Sequence, residues 1–150
     1  MNTNTLPATI LAAKEKFELA CKDASALQIV SNFGAAFTAV NVIALLREAM
    51  TDEVMDKVFM PLMNTKIGFL TDRNGRARSG GRAPLPLYTR DIVRDCIIDA
   101  VTIGLLPTGN QFNIIAERMY PTKEGYTSLL RKLGVKYFID TSYNKGQTQN

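Results

Sequence analysis

The chain has 150 residues, 46% of them hydrophobic and 21% charged, with no histidine, no tryptophan and a formal net charge of +4. That profile reads as one domain, residues 1–150, able to bury a sizeable core and far from a disordered composition. It excludes imidazole acid–base chemistry, and two cysteines without a C-x-x-C pair argue against zinc.

Cys21 and Cys96 each sit in a helical-looking apolar segment and read as free thiols in a reducing compartment. No apolar run approaches the roughly 18 residues of a membrane span. The opening "MNTNTLPATI" lacks a basic stretch followed by an apolar one. The expectation is a cytoplasmic protein with no membrane partner.

Residues 8–30 predict a first helix, with Ile10, Ala13, Phe17, Ala20 and Cys21 on one face. "SNFG" at 31–34 reads as a turn. A second helix follows over 35–50, apolar enough to be mostly buried, with Phe37, Val40, Ile43, Ala44, Leu45 and Leu46 as core candidates. Thr51 reads as the N-cap of a third helix over 52–60. Asp52 and Glu53 suit its positive end, and Pro61 limits its length.

The next stretch changes in kind. "IGFLT" suits a short strand, and residues 71–86 read as a basic, flexible, glycine-containing loop. Thr89 caps a helix whose apolar stripe is Val93, Cys96, Ile97, Ala100 and Val101, and Gly104 ends it in a left-handed conformation. "LLPTGN" is a turn, and "QFNIIA" and "RMY" suit a hairpin. Thr122 caps a last helix through Leu133. Gly125 inside that helix costs roughly 1 kcal/mol against alanine and calls for a close neighbour. "VKYFI" at 135–139 reads as a strand, and 141–150 as a loose polar tail. The order predicts an α+β fold: N-terminal helices plus a small sheet built from a hairpin and flanking strands, packed against two further helices.

Charge is placed unevenly. Residues 1–63 carry a net −2, residues 64–94 a net +5 and residues 95–150 a net +1, which together give the +4 of the chain. Arg73, Arg76, Arg78 and Arg82 fall within ten positions. Forked guanidiniums on such a loop suit closely spaced phosphates. Arg118, Lys123, Arg131 and Lys132 are candidates for a more rigid basic face, with Tyr120 and Tyr126 as candidate base-stacking aromatics and Tyr88 and Phe112 as weaker ones. No element looks like a duplex-reading helix, so single strands suit the pattern better.

No phosphate-binding loop, dinucleotide fingerprint, nucleophile elbow or metalloprotease motif is present. Asp91, Asp95 and Asp99 share a helix face, but Arg90 and Arg94 among them favour a solvated face over a magnesium site. With Glu117 they would serve a rival reading, a magnesium-dependent enzyme acting on nucleic acid. A second rival is a virion or scaffold protein assembling through its apolar helix 35–50 and its methionines.

The segment "DIVRDCIIDAVTIGLLPTGNQFNIIAERMYPTKEGYTSLLRKLGVKYFI" resembles the central part of phage-type RecT/Redβ single-strand annealing proteins. The resemblance rests on Gly104, Leu105 and Pro107, the turn at Gly109 and Asn110, the strand Phe112 to Ile115, and the helix with Lys123, Gly125, Tyr126, Leu129, Leu130 and Arg131. It covers roughly residues 60–140. Members of that family are longer, so the chain reads as a compact or truncated one. The resemblance implies a protein without enzymatic activity, metal or cofactor. It implies binding of single-stranded DNA, assembly into a ring or filament, and ATP-independent annealing of complementary strands. It also implies a host single-strand-binding protein as a partner in the bacterial cytoplasm.

Overall fold

Where the helix before "LLPTGN" stops, the backbone closes a Schellman turn. Gly104 adopts φ 94°, its N–H donates to Val101 O at 2.9 Å, and the Leu105 N–H donates to Ala100 O at 2.9 Å. Only glycine takes that conformation without steric cost. The computed structural model describes residues 7–27, 34–132 and 134. The turn expected at 31–34 lies mostly outside them, and the strand expected at 135–139 and the tail at 141–150 lie wholly outside.

The architecture is α+β. It comprises α1 (Ala8–Leu27), α2 (Gly34–Ala49), α3 (Asp52–Val54), β1 (Leu70–Thr71), α4 (Arg90–Thr102), β2 (Phe112–Ile115), β3 (Arg118–Pro121) and α5 (Lys123–Lys132). α1 buries Ile10, Ala13, Ala20 and Ala24, with Phe17 and Cys21 packed alongside, as its periodicity predicts. α2 departs from expectation. It buries Val42, Leu46 and Ala49, while Phe37, Val40 and Ile43 are 75%, 66% and 37% exposed. Leu46 is core as expected and Leu45 is partly buried against it.

Thr51 caps α3 by accepting the Val54 N–H at 3.2 Å. Beyond Val54 the helix widens into a π turn (Met55–Phe59) and then tightens into a 3-10 turn (Met60–Leu62). Pro61 has no N–H to continue the α-ladder, and Met60 N–H donates to Met55 O, five residues back. The strand expected at 67–71 shrinks to Leu70–Thr71, because residues 62–69 turn on themselves. Thr65 N–H reaches Leu62 O and Gly68 N–H reaches Thr65 O, both at 3.2 Å. A Cβ on Gly68 would lie 2.2 Å from Leu62 O. Asn64, at φ 62°, pins the turn to the sheet: its amide donates to Arg73 O and its Oδ1 accepts the Thr71 N–H, both at 3.0 Å.

The sheet has the order β1-β2-β3. β1 runs parallel to β2, pairing Leu70 with Asn113 and Thr71 with Ile114. β2 and β3 form an antiparallel hairpin that pairs Phe112 with Pro121, Asn113 with Tyr120, Ile114 with Met119 and Ile115 with Arg118. Strand alternation divides its faces. Thr71, Phe112 and Ile114 are buried on the inner face, against a core that includes the α4 stripe Val93, Cys96, Ile97, Ala100 and Val101. Phe69 and Phe112 stack with centroids 5.1 Å apart.

α5 starts as its sequence predicts. Thr122 Oγ1 accepts the Gly125 N–H at 3.0 Å and donates to Asn110 O at 2.5 Å. Glu124 in the first turn and Arg131 and Lys132 in the last complement the helix dipole. The reason for Gly125 is a backbone: a Cβ there would lie 2.0 Å from Gln111 O. Gly125→Ala should therefore destabilise the fold by about 2–3 kcal/mol despite alanine's better helix propensity. Urea unfolding reads the change, and equal or greater stability would overturn the close-approach account.

Candidate nucleic-acid interface

The basic loop is anchored at both ends to the tip of the β2–β3 hairpin. That tip is Ala116–Glu117, a two-residue turn with φ 51° and 66°. Non-glycine residues in this left-handed region cost of order 1 kcal/mol each. Asp72, at the loop's start, accepts the Ala116 N–H on Oδ2 at 3.2 Å. Tyr88, at its end, accepts the Glu117 N–H at 3.1 Å and donates its hydroxyl proton to Asp72 Oδ1 at 2.5 Å. Tyr88 is buried, not a stacking platform, and so is Phe112. Burial, and then the Asp72 bond, push the phenol above its ordinary range, so it remains a donor.

Arg73 belongs to this clasp. Its guanidinium lies 4.5 Å over the Tyr88 ring and 3.9 Å from the Glu117 carboxylate, with only 24% of the side chain exposed. It is a packed cation–π partner, where the sequence suggests a mobile phosphate clamp. The other three arginines do come together. The loop closes on itself, with Arg78 N–H donating to Arg82 O at 3.0 Å and Arg78 Nε to Ala83 O at 2.9 Å. Gly80 and Gly81 supply the left-handed turn between them. Arg76, Arg78 and Arg82, with Asp72, Asn74 and Ser79, line an open concavity of about 530 Å³. Among the described residues, no carboxylate forms an ion pair with any of these three arginines.

A second polar concavity, of about 380 Å³, lies along α5 and takes in Lys123, Glu124, Thr127, Ser128 and Arg131 together with Gly109 and Gln111. The spacing of 123, 127 and 131 puts these side chains on one helix face. No residue is common to the two concavities. β3 connects the regions, running from the clasped tip to the start of α5. The sheet's outer face, by strand parity, carries Leu70, Asn113, Ile115, Arg118 and Tyr120, and Tyr120 is 47% exposed. Tyr126 is exposed on α5 but does not line the α5 concavity. Lys132 turns away from both regions, and its ammonium donates to Gly104 O at the end of α4.

The aspartate face of α4 is engaged by arginines. Arg94, 15% exposed, donates to Asp52 at 2.6 Å and to Asp91 at 2.8 Å, and its Nε reaches Met50 O at 2.8 Å. Arg90 pairs with Asp56 at 2.8 Å and Arg47 with Asp95 at 3.2 Å. Most of these pairs cross between helices and do not follow the i,i+4 pattern of a single one. The Arg94 and Arg90 guanidiniums hold Asp52 below the usual carboxylate range, whereas burial and Asp95 raise Asp99. Among the described residues, no three acidic or cysteine side chains gather as metal ligands, and no helix is long and apolar enough to cross a membrane.

Sequence reasoning missed Asn113, Ile115 and Leu70 as surface-forming residues. Period-two alternation in "FNII" carried the signal, since Phe112 and Ile114 turn inward together. It also missed the Asp72–Tyr88 clasp, whose partners stand 16 to 44 residues apart.

Two measurements check this account. Tyr88→Phe leaves the Glu117 N–H without its acceptor and should cost about 1–2 kcal/mol in urea unfolding, with faster amide exchange at Glu117. Unchanged exchange there would remove the clasp from the argument. Cys96 is buried, its thiol donates to Glu117 O at 3.5 Å, and burial, then Asp99, Asp95 and Glu117, push its pKa from 9.0 to about 11. Because the raised value belongs to the fold, this contribution to stability is complete below pH 9.0 and fades as pH rises toward 11. At pH near 8, thiol reagents should modify Cys96 only at the unfolding rate; rapid labelling of the native protein would contradict its burial.

Compared with models of known protein families, with curated proteins and with solved structures, the chain matches none.

Proposed function

We propose that the protein binds single-stranded DNA and promotes annealing of complementary strands without ATP. The observation that carries the reading is the open outer face of the sheet, where Tyr120 and Arg118 stand exposed. β3 leads at one end to Arg76, Arg78 and Arg82, which form no ion pair among the described residues, and at the other to Lys123 and Arg131. Guanidinium and ammonium groups that form no ion pair among the described residues are available to phosphates. An exposed tyrosine paired with Asn113, on the sheet face it shares with Leu70 and Ile115, offers a surface on which unpaired bases stack.

Stacking engages the face of a base and leaves its Watson–Crick edge free. A strand held this way is open to a complement, which suits annealing better than sequence reading. Duplex DNA hides its base faces, so single strands are preferred. In this reading Arg73 and Lys132 act on the fold, Arg76, Arg78, Arg82, Lys123 and Arg131 act on phosphates, and Arg118 accompanies the bases. Tyr120 is the stacking residue and Tyr126 an outlying one. The working partners are single-stranded DNA, further copies of the chain and a host single-strand-binding protein, in the cytoplasm of a bacterial host.

The test is titration against labelled single- and double-stranded DNA at two salt concentrations. Single-strand binding should weaken steeply with salt. Replacing Arg76, Arg78 and Arg82 together by alanine should lower the log–log salt slope by about two, at roughly 0.7 per phosphate contact. Lys132→Ala should leave the slope unchanged. Affinity indifferent to both salt and the triple substitution would sink the reading.

A further inference from the structure

We infer that Ser79 is a phosphorylation site, and that the phosphate it gains folds back onto Arg76, Arg78 and Arg82 and closes the basic loop to nucleic acid. Several hydroxyls of the chain are already spent on the fold. Those of Thr51, Thr65, Thr71, Thr102 and Thr122 each make a hydrogen bond. The Ser79 hydroxyl makes none among the described residues, and Ser79 is exposed. It lines the same concavity as the three arginines.

An enzyme that modifies a side chain draws the surrounding backbone into its cleft, so the segment must stand clear of the domain. Residues 74–87 are all exposed. A Cβ on Gly75, Gly80 or Gly81 would meet nothing within 4 Å. Arg78 before the turn and Arg82 after it are extended. Thr127 and Ser128 also lie beside basic side chains, in the α5 concavity. They are half-buried within a helix, where no cleft takes hold of the backbone. The spacing defines the enzyme's chemistry as well. Arg76 and Arg78 stand three residues and one residue before Ser79, and forked guanidiniums there suit a serine kinase whose cleft carries carboxylates.

The step is a phosphoryl transfer from ATP. Ser79 Oγ bonds to the γ-phosphorus, the bond from that phosphorus to the β–γ bridging oxygen breaks, and ADP leaves. The hydroxyl proton passes to the kinase's carboxylate base. The receiving site is already formed, because bonds to Arg82 O and Ala83 O hold Arg78 in place. Three guanidiniums and the Asp72 carboxylate give the concavity a net charge of +2. Phosphoserine carries about −2 near neutral pH and offers three acceptor oxygens. The modified loop therefore neutralises itself, and a DNA phosphate finds no net charge there. This consequence rests on the strand binding proposed above, whereas the capture of the phosphate by the arginines does not.

The test treats the full chain with ATP and a serine kinase selective for arginine at those two positions. Mass spectrometry should place one phosphate on Ser79 of the native protein. In ³¹P NMR that phosphate should titrate below its ordinary value near 6, and Arg76→Ala with Arg82→Ala should return it toward 6. The modified chain should bind single strands at least tenfold more weakly at low salt. Its log–log salt slope should fall by about 1.4, two phosphate contacts at roughly 0.7 each. Ser79→Ala, treated identically, should keep the slope it had before treatment. A native chain that takes no phosphate at Ser79, or a phosphoserine that titrates as it does in the unfolded chain, would overturn the proposal. So would strand binding that is steep in salt and indifferent to the phosphate. Strand binding that ignores salt even in the unmodified chain would remove the annealing reading, and the ³¹P titration would still decide whether the arginines capture the phosphate.

Discussion

The hydrogen-bonded clasp of Asp72, Tyr88 and the Ala116–Glu117 turn is the constraint on which the rest depends. A sheet whose strands are two to four residues long has few ladder bonds of its own. Its hairpin turns through two residues that disfavour the left-handed region, a strain that persists only where the surroundings over-determine it. Here two turn amides are taken up by a carboxylate and a buried phenol from the two ends of one loop. The hairpin is thereby held, the loop's ends are drawn together, and the register that turns Phe112 and Ile114 inward and Tyr120 outward is fixed. A slip of one residue would exchange those faces.

The clasp also sorts the arginines. A guanidinium that finds an aromatic face and a carboxylate is spent on structure, as Arg73 is over Tyr88. Arg94, Arg90 and Arg47 are spent likewise on joining helices to one another. Arg76, Arg78 and Arg82 remain, and among the described residues none of them forms an ion pair, although Asp72 lines the same concavity. Net charge alone does not make this distinction. The +5 of residues 64–94 includes Arg90 and Arg94, whose charge is already answered by Asp52, Asp56 and Asp91. Among exposed pairs that answer is worth little in stability, yet it decides which cations stay available.

What the sequence made legible was local. Gly104, Thr51 and Thr122 act within a few residues of themselves, and each does what its residue type requires. Gly125 signalled that something approaches closely, and the approaching group is Gln111 O. What stayed hidden depends on residues far apart in the chain. The clasp joins positions up to 44 apart. Lys132, read as part of a basic face, instead meets the carbonyl of Gly104, 28 residues away. β1 came out shorter than its apolar run because Leu62, upstream of it, captures the backbone of residues 65–69.

α2 is the instructive disagreement. Its composition argues for burial, and apolar residues recur on every side of it. The chain itself covers the face of Val42, Leu46 and Ala49, and leaves Phe37 in water. A phenylalanine three-quarters exposed is a standing cost to solubility unless it is covered when the protein works. The expectation of a mostly buried α2 therefore fails at Phe37, Val40 and Ile43 and holds at Leu46, because hydrophobicity all round a helix does not say which of its faces the chain will cover.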